Sequence, residues 1–293
     1  MTSHPARSVL MMLAAVASFS LMDAGLKQLS AHYPTFQVAA LRGAASLPLV
    51  LAWALARGGW RPLFRVRWPL HLLRGVIGVT MMASFVYALK TLPLSTAYSI
   101  FFVAPLLVTA LSVPVLGERV GPRRWAAIGV GLLGTLVLIR PTGEGLVSLA
   151  ALAVLLSAGM YAIGAISVRV LARTDSTQAM MVWLLASMAL GAGALAAPDW
   201  QPVHGGDGLL ILGVGIAGAL GQYAVTEAFR LGEASLIAPL EYTALVWGVV
   251  LDRVVWGVLP DRTTWLGAAI IVGSGLYLLR RERVRSAEIV TTP

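Results

Sequence analysis

The chain has 293 residues, 58% hydrophobic and only 12% charged, with a net charge of +9. Soluble domains carry about 25% charged residues, so this composition excludes a soluble globular, disordered or fibrous protein and leaves a polytopic helical membrane protein. With no cysteine, disulfides, thiolate catalysis and thiolate-bound metals are excluded too.

A spanning helix needs about 20 mostly apolar residues. Apolar runs between charge, Pro and Gly breaks predict ten spans, at 8–29, 35–56, 71–89, 95–116, 125–139, 146–168, 177–197, 209–229, 235–256 and 263–279. The first is too long for a signal-peptide core and reads as a retained helix. The longest connections, 57–69 and 198–208, leave no room for a soluble domain.

Basic residues fix the orientation. With the N-terminus inside, fifteen of the 22 fall on inner segments, among them Arg57, Arg61, Arg65 and Arg67 in one loop. The outer segments hold Lys90, Arg140 and Arg262. Both termini are therefore expected in the cytoplasm of a bacterial inner-membrane protein. The basic charge is topological, and a nucleic-acid role loses its support.

The halves repeat each other. At an offset of 140, Ala88, Lys90, Ser95, Ala104, Gly117 and Trp125 lie over Ala228, Arg230, Ser235, Ala244, Gly257 and Trp265. At an offset of 139, Ser18, Gly25 and Thr35 lie over Ser157, Gly164 and Thr174. Residues 1–143 and 144–293 read as two five-helix repeats forming one transport domain. Five is odd, so the second copy is inverted. Loop charge agrees: the counterpart of the arginine-rich loop 57–69 carries Asp199 and Asp207 and no Lys or Arg. The expected fold is all-α, ten transmembrane helices in two inverted repeats.

These features resemble the drug/metabolite transporter superfamily, in its EamA-type ten-helix branch. The resemblance rests on the duplicated plan, on Ala88…Ser95…Ala104-Pro105…Gly117-Glu118-Arg119, and on Trp125 with its copy Trp265. The second half departs from the pattern at Leu245 and Val258. Within the branch the chain looks most like YddG-type exporters of aromatic amino acids and methionine. The resemblance implies a central cavity lined by inner helices of both halves, with the fifth and tenth helices peripheral.

Charges within spans are costly, about 2.5–3.5 kcal/mol each on insertion scales. Asp23 is expected to pair with Lys27 or Arg42, or to serve with Arg42 in coupling or gating. Glu227 has Arg230 three residues on. Glu241, Ala244, Gly248 and Asp252 share one helix face that cannot comfortably meet lipid. Glu241 is the leading cation, ammonium or proton site, against a structural pair; Asp252 beside Arg253 reads as an interfacial pair. Pro105 and Pro239 are candidate kinks or gates.

Hydroxyl and aromatic residues at helical spacing nominate a cavity for a small amphipathic solute. The candidates are Thr80, Ser84, Tyr87, Tyr98, Phe102, Tyr161, Gln222, Tyr223, Glu241 and Tyr242. Ordinary helix packing accounts for such residues equally well. Gly213, Gly215, Gly218 and Gly221 permit close helix approach. His32, His71 and His204 lie in loops or at span ends, without metal-ligand spacing or a nucleophile partner. No catalytic residue, metal or cofactor is expected.

The sequence thus points to an inner-membrane secondary transporter exporting small metabolites, foremost aromatic or neutral amino acids, by alternating access. The alternatives are efflux of cationic or lipophilic compounds, with Glu241 as counter-ion, or a channel or scaffold. The partners expected are a small-molecule substrate and the lipid bilayer; oligomeric state is not readable.

Overall fold

The computed structural model describes residues 5–117, 148–232 and 237–270, with isolated positions in 121–137 and 272–277. The fifth expected span, the Glu118-Arg119 pair, Ser235 and the end of the tenth span lie largely or wholly outside these residues. Every regular element among the described residues is helical. A bilayer core offers no water to backbone N–H and C=O groups, so long apolar runs close into helices that satisfy themselves.

The elements are α1 (Pro5–Ser30), α2 (Thr35–Gly58), α3 (Arg61–Phe64), α4 (Trp68–Leu89), α5 (Leu94–Phe101), α6 (Val103–Leu116), α7 (Leu149–Leu171), α8 (Thr177–Ser187), α9 (Gly193–Ala196), α10 (Gly208–Leu231) and α11 (Ala244–Leu251). A π-helical turn, Met188–Ala192, joins α8 to α9. Among the described residues, seven segments are long and apolar enough to cross a membrane: Ala6–Ser30, Thr35–Gly58, Trp68–Leu89, Leu94–Leu116, Leu149–Leu171, Thr177–Asp199 and Gly205–Leu231. They coincide with the first four expected spans and with the sixth, seventh and eighth. Residues 262–270 are helical, at the start of the tenth.

The ninth expected span is not one continuous α-helix. From Ala238 to Thr243 it is a 3-10 stretch, then becomes α11, and ends in a π turn, Asp252–Trp256. Pro239 lies in the first turn of the 3-10 stretch, where its missing N–H is tolerated. The fourth span is also interrupted, at Phe102 between α5 and α6. Pro105 cannot bond back to the carbonyl of Phe101, which loosens the helix at that point. Phe102 and Tyr242, 140 positions apart, sit at the two interruptions with rings edge-on, centroids 5.1 Å apart. Gly117 (φ 72°) and Gly257 (φ 69°), another pair at this offset, close α6 and the π turn in the left-handed conformation. That conformation favours glycine because it has no Cβ.

Packing runs across the halves. The most extensive helix pair is α1 on α10, followed by α4 on α7. Glycines let α10 approach closely. A Cβ on Gly215 would lie 2.7 Å from Ala45 Cβ and 2.9 Å from its carbonyl, and one on Gly221 2.7 Å from the Phe19 ring. Gly218 abuts Ser46, whereas Gly213 faces open space.

The loops around α2 tie the bundle at both ends. At the start of α2, the Tyr33 hydroxyl donates to Asp207 Oδ2 (2.6 Å) and accepts from the His204 N–H (2.9 Å). Gln37 Nε2 donates to the Gln201 carbonyl, and the Gln201 N–H donates back to Gln37 Oε1. At the other end, Trp183 Nε1 donates to the Leu63 carbonyl, and the Arg67 N–H and His71 Nε2 meet Asp175 Oδ2. Loops 59–67 and 197–207 therefore occupy opposite ends of the bundle.

Candidate central cavity

A cavity of about 170 Å³ lies at the centre, walled by α1, α2, α4, α5, α7, α8, α10, Phe102, Glu241 and Ala244. Its wall is mostly apolar. Phe85 stacks parallel to Tyr98 (6.3 Å) and meets Phe101 edge-on (5.8 Å); Phe101 in turn meets Tyr161 (5.4 Å). Met81 and Met82 add flexible sulfur-bearing wall. A flat or ring-bearing solute finds offset and edge-on aromatic partners here.

Four acidic or basic side chains reach this wall: Asp23, Arg42, Arg74 and Glu241. The Tyr98 hydroxyl donates to Asp23 Oδ2 at 2.8 Å, and the Tyr161 hydroxyl donates to Glu241 Oε1 at 2.8 Å. Each bond joins the first span of a half to its interrupted fourth. Asp23 makes no ion pair within 4.0 Å with Lys27 or Arg42, although Arg42 lies close enough to interact with it electrostatically. Lys27 instead reaches Asp252 (3.8 Å) and the Leu92 carbonyl (3.0 Å). Arg42, 1% exposed, lies against the sulfurs of Met22 and Met188.

The stripe read along the ninth span turns inward as a unit. Glu241 and Ala244 line the cavity. Gly248 lets the Tyr98 ring approach; an added Cβ would stand 2.7 Å from it. Asp252 does not pair with Arg253, which is exposed. Its buried carboxylate accepts from the Leu94 N–H (3.0 Å), the Ser95 N–H (2.7 Å) and the Ser95 hydroxyl (2.6 Å). Pro93, ahead of α5, offers no side-chain cap, so a residue of the other half satisfies these free amides. Glu227 binds Arg230 through two bonds, as expected, and also accepts from Thr177.

Of the cavity candidates, Tyr98, Phe102, Tyr161, Gln222 and Glu241 line the wall, with Asp23 and Arg42. The other five are not on it. Thr80 is half-buried, and Ser84 returns its hydroxyl to the Thr80 carbonyl (2.8 Å). Tyr87 is 44% exposed. Tyr223 packs against Trp53, and Tyr242 against Phe102. Pro105 shapes the interrupted fourth span without reaching the wall. Phe85, Phe101 and Arg74 are wall residues that spacing did not nominate. Arg74 carried a usable signal, a charge inside a span; the two phenylalanines carried none.

A family model described as the EamA-like transporter family matches the chain twice, over residues 6–140 and 148–280. The chain is 30% identical to a riboflavin transporter of Vibrio cholerae, over 97% of this chain and 96% of that protein. It is 30% identical to a pseudopaline exporter of Pseudomonas aeruginosa, over 82% and 86%. With an S-adenosylmethionine uptake transporter of Rickettsia felis it shares 27% identity, over 92% of each. A solved crystal structure superposes with a TM-score of 0.70 at 25% identity, covering 94% of this chain and 98% of that one.

Proposed function

Since the chain belongs to the EamA-like transporter family, and is a membrane transporter and not an enzyme, we propose that it exports small amphipathic metabolites from the cytoplasm, foremost aromatic or neutral amino acids. The route is the central cavity, opened alternately to each side of a bacterial inner membrane. The observation that carries this reading is the cavity wall itself: a mostly apolar surface carrying several aromatic rings, with two carboxyl groups and two guanidinium groups reaching it. A zwitterion with a ring matches that distribution.

The inverted-repeat reading, 1–143 against 144–293, is supported by the two family matches and by the packing. Exchanging the halves turns the α1–α10 pair into α7–α4, the two most extensive pairs. The arginine-rich loop and its neutral-to-acidic counterpart support a cytoplasmic N-terminus. A flavin is the second reading, favoured by the aromatic wall and by the relative from Vibrio cholerae.

Counterflow in liposomes with the purified protein tests the proposal. Preloaded aromatic amino acid should draw labelled amino acid inward with saturation, and Glu241→Gln should slow this at least tenfold. Saturable counterflow of riboflavin alone would replace the amino-acid reading with the flavin one. Non-saturable flux would mark a channel.

A further inference from the structure

Arg74 lies six residues into α4, about 9 Å along the helix from its start, at the end of the bundle that carries the arginine-rich loop. It is 5% exposed and lines the cavity. The wall positions of α4 run Arg74, Ile77, Gly78, Met81, Met82, Phe85, so Arg74 is the polar end of an otherwise apolar stripe. Its one hydrogen bond among the described residues is a long one, Nη1 to the Met180 carbonyl at 3.4 Å. No carboxylate among the described residues stands within 4.0 Å of it.

The nearby acids are already engaged. Asp175 is held by His71, by the Arg67 N–H and by Thr174. Asp23 and Glu241 accept from tyrosines. Other basic groups of the bundle are provided for: Lys27 by Asp252 and Arg230 by Glu227. Arg42 is wedged between two thioethers and interacts electrostatically with Asp23. A guanidinium stays charged in proteins, and an unpaired charge within the membrane marks a functional position. Its planar fork is built to hold a carboxylate by two parallel bonds.

We propose that Arg74 is the anion-binding residue of the cavity, and that the solute carries a carboxylate that docks on it while its apolar body lies along Met81, Met82 and Phe85. This deepens the carrier reading and rests on it for the word solute; the binding claim stands separately.

The test uses the full-length protein in detergent. Thermal-shift titrations compare L-phenylalanine, 3-phenylpropionate and hexanoate with phenethylamine and 3-phenylpropan-1-ol. The carboxylates should bind at least tenfold more tightly than the amine and the alcohol. Arg74→Gln should erase that preference, and Arg74→Lys should keep part of it. The ligand series on the unmodified protein decides the question even if Arg74→Gln fails to fold. Equal binding of the amine or alcohol, no binding of any carboxylate, or an unchanged preference in Arg74→Gln would overturn the proposal. Arg74-dependent carboxylate binding without counterflow in liposomes would uphold it and sink the carrier reading. Counterflow of riboflavin with no carboxylate preference would do the reverse.

Discussion

Asp175 shows how a single carboxyl ties two loops at one end of the bundle. Burial pushes its titration up, but bonds from Thr174, His71 and the Arg67 N–H, together with the facing His71 ring, hold it below the ordinary carboxylate value. A carboxyl depressed in the folded state stabilises at pH above its ordinary value, and that stability is lost as pH falls through the folded value. Asp175→Asn should therefore cost about 1–2 kcal/mol at neutral pH, read as a lower melting temperature in micelles. The gap to the unmodified protein should close as the pH drops below about 4; a gap independent of pH would refute the account. Elsewhere the residue scale was only half legible. The cost of charge in lipid singled out Asp23, Arg42, Glu227, Glu241 and Asp252, and all five are buried. Only Glu227 met its expected partner, three residues away. Asp23 meets Tyr98 at a separation of 75 residues and Asp252 meets Ser95 at 157. Helical spacing carries information over a few turns, so such partners are invisible to it.

Whole helices were more legible than their interiors. Apolar length alone located the first four spans and the sixth to the eighth, because a bilayer leaves helix as the one self-sufficient option for a single segment. Hydropathy does not distinguish α from 3-10 or π geometry, so the broken ninth span and the π turn at Met188–Ala192 went unread. That turn packs closely on α2, a Cβ on Gly43 falling 2.5 Å from the Ala189 nitrogen. Close approach also separates glycines that look alike in sequence. Gly215→Ala should destabilise by about 1–3 kcal/mol, because backbone atoms of Ala45 cannot step aside. Gly159→Ala, in α7 with nothing within 4 Å of the new Cβ, should gain up to about 1 kcal/mol of helix propensity. Melting temperatures of the two variants should move in opposite directions. No loss of stability in Gly215→Ala would mean that α10 does not pack against α2 as described.

At the scale of the molecule, the register of the repeat was the most informative thing in the sequence. Its 140-residue offset reappears in the paired interruptions at Phe102 and Tyr242 and in the left-handed Gly117 and Gly257. The cavity between the halves was legible as a location, but its lining was not, since lining depends on helix rotation about axes that sequence does not fix. The proposed sidedness of the bundle rests on charge and is open to direct measurement. Loops 59–67 and 197–207 lie at opposite ends, and the chain has no cysteine to interfere. A cysteine placed at Gly205, where nothing crowds the new side chain, should react with an impermeant maleimide added to intact cells. A cysteine at the exposed Arg65 should react only after the membrane is opened. The mirror pattern would put the arginine-rich loop outside against the positive-inside rule. The Arg74 end of the cavity would then face the periplasm.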